Sequence, residues 1–290
     1  MRLALNYQGD TSGTEYLSRW SVLPGLCCQA AGGELEWAED LTLGWLLFYV
    51  AADLMDSIQD GDEPDAWWVE QGAGAALAAA SGLYFSGSIA LARMHYRVEA
   101  KHVAAEIAHQ FYDTLLVMTS GQYNDLLQQK PTLDQYWQHA ASKSGTFFGL
   151  ACWAGARLST SEVQLLQAYR DYGSHLGVLI QVMDDLDDIR LLRERLHPSQ
   201  VGKVARSLPV VYALEVSPSE LSARLQVCLD TATQSQDAVT ELVNLLDQCG
   251  AARYVQLELE KHRACCLSAL DQVSPPIELK EKLVALVHEM

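Results

Sequence analysis

The chain has 290 residues, of which 49% are hydrophobic, so it is long enough to bury a large core. Its 20 Lys and Arg residues stand against 37 Asp and Glu residues, and the resulting formal charge of −17 repels nucleic-acid phosphates and anionic membrane surfaces. We therefore expect a single domain over residues 1–290 that binds no nucleic acid.

The cysteines and the apolar segments indicate where such a chain works. Seven cysteines are present, an odd number with no C-x-x-C spacing, which is typical of buried thiols in a reducing cytosol. The first residues, "MRLALNYQGD", lack a hydrophobic signal core, and the longest uncharged apolar run, Leu41 to Ala52, is too short to span a bilayer. We expect a cytoplasmic protein with no stable membrane insertion.

Apolar residues recur at helical spacing along nearly the whole chain. Segments such as "YDTLLVMTSGQYNDLL" and "VQLLQAYRDYGSHLGVLIQVMDDLDDI" carry them at intervals of three and four, with no sustained alternation of period two. Proline, glycine and serine collect at "DGDEPD", "QQKPT", "RLST", "LHPSQVGK", "VSPSE" and "VSPP". The pattern predicts an all-α protein of about ten helices with short connections.

The first cluster of acidic residues, "DLMDSIQD", lies directly behind an apolar run. Each residue of an α-helix advances by about 100°, so Asp53, Asp56 and Asp60 lie within about 60° of one another. A solvated helix face would carry Lys or Arg four residues away, and this segment has neither. The cluster predicts either a divalent-cation site or a solvated helix end.

A second cluster, "QVMDDLDDIR", also ends a long and mostly apolar helix. Gln181, Asp184, Asp185 and Asp188 fall within about 100° on one helix face, whereas Asp187 is expected to turn away. Carboxylate oxygens suit Mg²⁺, which keeps several waters and usually binds substrate phosphates as well. This cluster is the stronger candidate for a magnesium site.

The second cluster resembles the second aspartate-rich motif of the trans-polyprenyl diphosphate synthases, in which a Gln precedes D-D-x-x-D by three positions. The segment "DSIQD" resembles the first D-D-x-x-D motif with Ser57 in place of its second Asp, and "GQYNDL" resembles the G-Q-x-x-D-L segment. Farther along, "KSG" resembles the Lys-Thr contact to the allylic diphosphate, and "GKVARSLPVVYALE" resembles a shortened lysine-containing loop with its Leu-Pro helix. With five matches in order over about residues 16–270, the chain is identified as a member of this family.

The resemblance implies an all-α isoprenoid synthase fold around a deep central cavity, usually as a homodimer. It also implies that three Mg²⁺ ions clamp an allylic prenyl diphosphate. The implied catalytic residues are Asp56, Asp60, Asp184 and Lys143. The implied metal ligands are Asp56, Asp60, Asp184, Asp185 and Asp188, with Asp53 as a substitute for the acid missing at position 57. The implied substrate-binding residues are Gln181, Lys143, Lys203, Tyr49, Ala52, Trp45 and Gly177.

Three features with which this family binds isopentenyl diphosphate are missing. The family's G-G-K-x-L-R-P segment near the amino terminus is replaced by "YLSRWSVLPG". Tyr49 stands in place of the His seven residues before the first motif, and "DGDEPDAWW" replaces the Arg-Arg-Gly after it. These departures argue against ordinary head-to-tail elongation, because a second diphosphate would meet few donors.

Three functions remain open from the sequence. The first is a terpene cyclase that ionises one bound prenyl diphosphate, and the second is a divergent prenyltransferase that delivers the cation to isopentenyl diphosphate or to another acceptor. The third is a non-catalytic partner subunit or isoprenoid-binding protein that keeps only the fold. The intact second motif favours an enzyme, whereas Ser57 favours the non-catalytic alternative.

Small residues before the first motif predict a deep cavity. In this family, bulky aromatic residues four and five positions before the motif halt the growing chain, and here these positions are Ala52 and Ala51. A hydrocarbon tail is expected to pass them and meet Tyr49 or Trp45, about 10 and 16 Å along the helix from the motif.

The facing wall is expected to be equally open. Gly173 and Gly177 lie on nearly the same helix face as Gln181, so no side chain there fills the tube. A short tail would leave a void whose lining loses contacts. We therefore expect C20 to C25 diphosphates as substrates.

Overall fold

The computed structural model describes residues 19–61, 66–97, 101–127, 130–194, 201–232 and 235–288. Within these ranges the regular elements are helices and none is a strand, as the helical spacing predicted. The α-helices are α1 (Leu23–Ala30), α2 (Glu39–Asp60), α3 (Trp67–Gln71), α4 (Ala73–Arg97), α5 (Lys101–Leu127), α6 (Leu133–Ala140), α7 (Thr146–Arg157), α8 (Val163–Glu194), α9 (Val201–Arg206), α10 (Leu208–Val216), α11 (Ser219–Thr231), α12 (Gln236–Gln248), α13 (Ala251–Gln272) and α14 (Ile277–His288). A 3₁₀ turn, Leu35–Ala38, precedes α2.

The helical segments outnumber the ten expected because several of them are short. Helices end or begin at "QQKPT", "RLST", "VSPSE" and "VSPP", as predicted. The expected breaks at "DGDEPD" and "LHPSQ" lie largely outside the described residues.

Helix α2 carries the first acidic cluster in its last two turns. Glu39 and Asp40 lie in its first turn, where the partial positive charge of the helix amino terminus favours carboxylates. The helix ends at Gly61, which has a φ of 62° and donates its N–H to the Ser57 carbonyl oxygen at 2.9 Å. Glycine enters this left-handed conformation without steric cost, so the helix stops directly after the cluster.

A wide turn interrupts the helical path between α6 and α7. Helix α6 begins with a capping box, in which the Thr132 hydroxyl accepts from the Gln135 N–H at 3.2 Å and the Gln135 side chain accepts from the Thr132 N–H at 2.8 Å. The following residues, Ala141–Gly145, form a single π-helical turn. Such turns are rare and frequently occur at functional sites.

Helices α7 and α8 approach each other closely through glycine. A Cβ atom added at Gly177 would lie 2.3 Å from the Ser144 carbonyl oxygen, and one added at Gly173 would lie 2.4 Å from the Phe148 carbonyl oxygen. Only glycine permits this backbone contact. The face of α8 that carries both glycines therefore packs against the π turn and α7.

The core consists of two large clusters of buried apolar side chains. The first joins α1, α2, α4–α8, α13 and α14, and includes Trp20, Trp45 and Tyr172. The second joins the end of α8 with α9–α13, and α10 and α13 contribute to both clusters. All seven cysteines are free thiols, five of them buried, as the sequence predicted.

Two segments, Leu35–Asp60 and Ala73–Tyr96, have the length and mean hydropathy, 1.4 and 1.5, of a membrane span. The expectation of no stable membrane insertion rested on the uncharged run Leu41 to Ala52, which is shorter than either segment. In the fold they pack against each other, and a Cβ atom at Gly44 would lie 3.3 Å from the Gly87 carbonyl oxygen. Both segments therefore belong to the helical bundle.

Candidate active site

Two cavities open between the end of α2 and the middle of α8. The larger one, the mouth cleft, has a volume of about 750 Å³ and lies between α2, α5, α6, α8 and α9. The smaller one, the tail pocket, has a volume of about 320 Å³ and lies between α2, α7 and α8. Asp56, Lys143, Gln181 and Lys203 line both cavities. These four residues mark the junction of the cavities.

The structure brings the two acidic clusters together at this junction. Asp53 and Asp56 on α2 line the tail pocket together with Asp184 and Asp188 on α8, and Asp60 lines the mouth cleft. The two clusters therefore lie at one cavity, as the family resemblance implied. One expectation was wrong, because Asp187 also lines the tail pocket and does not turn away from it.

The Asp184 carboxyl group has a strongly shifted proton affinity. Its side chain is open to the tail pocket but is enclosed by the surrounding protein, and this burial is the main cause that raises its pKa to about 8. Lys203 opposes the shift, and the charges of Asp185, Asp188 and Asp53 add to it. A cation at this position would relieve the repulsion between the carboxylates.

Three basic side chains form ion pairs with the acidic clusters. Lys143 donates to Asp56 at 2.7 Å. Lys203 lies 3.3 Å from Asp188. Arg206, at the end of α9, donates to Asp60 at 3.1 Å.

Arg206 was missed by the sequence analysis. The sequence feature that could have identified Arg206 is its position three residues after Lys203, in the basic segment that follows the second motif.

The donor set fits magnesium in one particular mode. Among the described residues, no three acidic, histidine or cysteine side chains are grouped so that they could hold one metal ion by themselves. Mg²⁺ is commonly held by one or two carboxylates together with substrate phosphates and waters. The facing carboxylates Asp56 and Asp184 fit this mode, in which a diphosphate completes the coordination.

Asp185 has a different environment from the one predicted for a metal ligand. It is 5% exposed and accepts hydrogen bonds from the Tyr136 hydroxyl at 2.6 Å and from the Leu208 N–H at 2.8 Å. Burial raises its pKa to about 6, although these hydrogen bonds oppose the shift. The carboxylate joins α8 to α6 and α10. Its oxygens are therefore hydrogen-bonded within the protein, while the residue also lines the mouth cleft, and its role as a metal ligand stays a prediction.

Ser57 faces away from both cavities. Its hydroxyl oxygen accepts from the Trp68 indole N–H at 3.2 Å. Trp68 packs in a small cluster with Leu54 and Ile58 on the outer side of α2. Position 57 therefore connects α2 to α3, whereas Asp53, one turn earlier, lines the tail pocket.

The π turn presents the predicted diphosphate contacts to the junction. Lys143 lies within it, and the neighbouring Ser144 hydroxyl donates to the Gln181 side-chain oxygen at 2.9 Å. This bond fixes the Gln181 amide so that its N–H₂ group points toward Asp185, at 3.4 Å. Lys143 and Gln181 are thus brought together from two helices.

The floor of the tail pocket is aromatic. Tyr49, Phe147 and Phe148 line it together with Ala52. The Tyr49 ring lies 5.9 Å from the Phe148 ring in an edge-to-face arrangement and stacks on Phe147 at 6.3 Å. Phe147 and Phe148 were missed by the sequence analysis, since no motif points to them.

Two predicted substrate contacts do not reach the cavities. Trp45 is fully buried behind the floor, where it stacks on Tyr49 at 5.6 Å and on Phe147 at 5.4 Å. Gly177 packs against the Ser144 carbonyl and lines neither cavity. Ala51 is likewise buried, so Ala52 and Tyr49 remain as the tail contacts from α2.

Comparison with known proteins supports the resemblance found in the motifs. The chain is similar to the tryptophan prenyltransferase ComQ of Bacillus subtilis (strain 168), with 24% identity over 253 residues that cover 86% of this chain and 80% of that protein. It is also similar to the geranylgeranyl diphosphate synthase of Mycobacterium tuberculosis, with 26% identity over 267 residues that cover 85% and 73% of the two chains.

The fold is that of solved isoprenyl synthases. The geranylgeranyl pyrophosphate synthetase of Pyrococcus horikoshii matches with a TM-score of 0.82 and 20% identity, over 94% of this chain and 84% of that one. The polyprenyl synthetase of Streptomyces coelicolor A3(2) matches with a TM-score of 0.78 and 21% identity, over 92% and 82%. Residues 32–246 match the polyprenyl synthetase family, so the chain belongs to this family of transferases that use prenyl diphosphates.

Proposed function

We propose that the protein is a Mg²⁺-dependent prenyltransferase that ionises one allylic prenyl diphosphate and passes the prenyl group to an acceptor without a diphosphate. The observation that carries this proposal is the junction of the two cavities, lined by Asp56, Lys143, Gln181 and Lys203. A diphosphate at the junction meets basic side chains, while its hydrocarbon tail enters the tail pocket.

The acidic residues at the junction would hold the metal. Asp56 and Asp60 on α2 and Asp184 and Asp188 on α8 are the proposed ligands, with Asp53 beside them, for the three ions that the family resemblance implies. Bound Mg²⁺ supplies neutralisation of the charge that develops on the leaving pyrophosphate.

The basic side chains complement the metal. Lys143, Lys203 and Arg206 now contact carboxylates, and each can exchange this partner for a diphosphate oxygen. Charge-assisted hydrogen bonds of this kind stabilise the pyrophosphate as the carbon–oxygen bond breaks.

The tail pocket protects the allylic cation. The rings of Tyr49, Phe147 and Phe148 form a floor that excludes water from the hydrocarbon side. Aromatic faces also stabilise a nearby cation by cation–π interaction.

The position of the floor bears on the chain length of the substrate. The expected C20 to C25 preference had the tail meet Tyr49 or Trp45 and left the wall open at Gly173 and Gly177. Of these residues only Tyr49 lines the pocket, about 10 Å along α2 from Asp56. We therefore propose C10 or C15 as the preferred length.

An Ala52→Phe variant tests this chain length. We expect the wild-type protein to release pyrophosphate from C10 and C15 diphosphates faster than from C20 and C25. Ala52→Phe adds a ring one turn above Tyr49 and should lower turnover of C15 more than that of C10. A wild-type preference for C20 or C25 would support the original expectation and show that the aromatic floor moves aside.

The charges at the site argue against a second diphosphate. Among the described residues that line the two cavities, the Lys and Arg side chains are Lys143, Lys203 and Arg206, and the one diphosphate at the junction engages all three. The similarity to a protein named as a tryptophan prenyltransferase supports an acceptor of another kind. A terpene cyclase would also need only one diphosphate and stays as the second candidate.

The assembly and the location of the protein are proposals as well. Large apolar side chains are exposed on α4 and α5, among them Phe85, Ile89 and Leu116. We propose that a second copy of the chain covers this face, which gives the homodimer usual in the family. A homodimer that buries this surface would be soluble in the cytoplasm.

One set of incubations separates the candidate functions. Purified protein and Mg²⁺ are mixed with C10, C15 or C20 prenyl diphosphate, with and without isopentenyl diphosphate, and pyrophosphate, alcohols and hydrocarbons are measured. Without isopentenyl diphosphate, we expect the products to be pyrophosphate and prenyl alcohol. With isopentenyl diphosphate, we expect no prenyl diphosphate of greater chain length to form. Cyclic hydrocarbons would support the cyclase, and the absence of pyrophosphate would overturn the proposed function.

A further inference from the structure

The Gln181 amide at the junction is held at both of its ends. Its oxygen accepts from the Ser144 hydroxyl at 2.9 Å, and its N–H₂ group donates to Oδ1 of Asp185 at 3.4 Å. An ionised carboxylate only accepts hydrogen bonds, so Asp185 can face the amide nitrogen but not the amide oxygen. The orientation of Gln181, which lines both cavities, therefore depends on the Asp185 carboxylate.

Asp185 is in turn held by two donors on its other oxygen. The Tyr136 hydroxyl donates to Oδ2 at 2.6 Å, and the Leu208 N–H donates to the same atom at 2.8 Å. Because the two donors come from α6 and α10, they fix the plane of the carboxylate. Oδ1 is thereby left directed at the Gln181 amide.

The hydroxyl group of Tyr136 acts on Asp185 and not on a ligand. Tyr136 lines the mouth cleft, but it is only 5% exposed, and its ring packs edge-to-face on Trp137 at 5.2 Å. A phenol has one O–H group, and here that group is donated to Asp185. It cannot donate to a diphosphate at the same time.

We propose that Tyr136 is a positioning residue, whose hydroxyl group sets the orientation of the Gln181 amide through Asp185. This inference rests on the proposed function, in which an allylic diphosphate is ionised at the junction that Gln181 lines. It assigns a role to a side chain of α6 that belongs to none of the sequence motifs.

Loss of the hydroxyl group should release the amide. With the Leu208 N–H as the remaining donor on Oδ2, the Asp185 carboxylate can turn about its Cβ–Cγ bond and leave Gln181. The amide can then flip, which exchanges a hydrogen-bond donor for an acceptor at the junction. The substrate is held less often in the reactive orientation, although the proposed metal ligands are unchanged.

A double-mutant cycle tests this connection. Both kcat and KM for pyrophosphate release from C10 or C15 diphosphate at saturating Mg²⁺ are measured for the wild-type protein, Tyr136→Phe, Gln181→Met and the double variant. We expect Tyr136→Phe to lower kcat/KM about tenfold, and Gln181→Met to lower it further. The double variant should match Gln181→Met alone, because the hydroxyl then has no amide left to position.

A binding measurement gives the same comparison without turnover. The dissociation constant of a non-reacting thiolo analogue of the C10 diphosphate is measured by calorimetry, with Mg²⁺, for the same four proteins. Tyr136→Phe should weaken binding in the wild-type background and cause no further weakening in the Gln181→Met background.

The matched control is Tyr172→Phe, which also removes one buried tyrosine hydroxyl. Tyr172 lies on α8, is fully buried, and donates to the Leu283 carbonyl oxygen at 2.8 Å. Its loss should lower the midpoint of urea unfolding, as the loss of the Tyr136 hydroxyl does. Because Tyr172 contacts neither Asp185 nor Gln181 through this bond, kcat/KM should stay within about twofold of the wild-type value.

Three results would overturn the inference while leaving the proposed function intact. They are an unchanged kcat/KM in Tyr136→Phe, a Tyr136→Phe effect of the same size in the Gln181→Met background as in the wild-type background, and an equal loss of kcat/KM in Tyr172→Phe. A wild-type protein that releases no pyrophosphate from any allylic diphosphate would instead overturn the proposed function, and the inference with it.

Discussion

The acidic segments of α2 and α8 lie on either side of the junction and differ in sequence. In both segments, two adjacent residues have different contacts. On α8, Asp184 lines the tail pocket, while Asp185 is buried and bonded to Tyr136. On α2, Asp56 lines both cavities, while Ser57 is bonded to Trp68. In each pair the first residue lines the tail pocket and the second residue bonds to a neighbouring helix, although Asp185 also lines the mouth cleft.

This comparison changes the meaning of the degenerate first motif. In the sequence, Ser57 counts as a lost metal ligand and favours a non-catalytic protein. In the structure, position 57 contacts α3, so an aspartate there would not face the diphosphate. The substitution therefore does not remove a carboxylate from the cavity, and the catalytic interpretation is strengthened.

The strongest test of the comparison is Asp184→Ala. This change removes one of the α8 carboxylates that line the tail pocket and are proposed to hold the metal, so pyrophosphate release should fall by about a hundredfold or more. The helix should remain folded, since Asp184 makes no described bond that joins α8 to another element. Steady-state pyrophosphate assays and circular dichroism check both expectations, and normal turnover at saturating Mg²⁺ would contradict the metal role.

Asp185→Leu should act on stability instead. It leaves the Tyr136 hydroxyl and the Leu208 N–H buried without their acceptor, at a cost of about 2–4 kcal/mol. Urea denaturation measures this loss. Asp185→Asn is the control, because its side-chain oxygen still accepts a hydrogen bond. If both variants have the same midpoint of urea unfolding as the wild-type protein, Asp185 has no structural role.

The dependence of stability on pH should come mainly from α8. The pKa of Asp184 is raised from 3.8 to about 8 and that of Asp185 from 3.8 to about 6, so between these limits the folded protein binds more protons than the unfolded chain. These two groups should therefore make stability without metal fall as the pH rises from 4 toward 8, against a smaller opposing contribution below pH 6.5 from His262, whose pKa is lowered by burial to about 4. Melting temperatures across this range measure the slope.

Mg²⁺ should reduce this slope, because bound metal favours the ionised carboxylates. Asp184→Asn should reduce it as well by removing a titrating group. A melting temperature that rises through the same range without metal would contradict the raised pKa values.

The smallest effect is expected for Ser57→Asp. Because position 57 faces Trp68, restoring the acid should change pyrophosphate release by no more than about twofold. Asp56→Ser, the reverse exchange one residue earlier, removes a carboxylate at the junction and should abolish most activity. If Ser57→Asp strongly increases turnover or lowers the Mg²⁺ requirement, the two helix ends are not equivalent.

Much of the fold and the pairing of the acidic clusters could be predicted from the sequence. Helical spacing identified the helices, and the angular positions of Asp53, Asp56 and Asp60 predicted one shared face, along which Asp53 and Asp56 line the tail pocket and Asp60 lines the mouth cleft. These features are local, since they depend on the geometry of a single helix.

The remaining features depend on contacts between helices. Gly177 shares a helix face with Gln181, as predicted. The Ser144 backbone packs against this face at Gly177, and the geometry of a single helix cannot predict such a contact. The same holds for the aromatic floor, because Phe147 reaches the tail pocket only through the packing of α7 against α2. Arg206 reaches Asp60 from a helix far away in sequence.

A crystal structure with Mn²⁺ and a non-reacting thiolo analogue of C10 or C15 diphosphate tests most directly which residue of each pair binds the metal. Anomalous scattering locates the metal ions and their ligands. The account predicts Mn²⁺ bound by Asp56 and Asp184 at the junction, with Ser57 still on Trp68 and Asp185 still on Tyr136. Metal coordinated by Asp185, or a diphosphate bound without contact to α2, would contradict it.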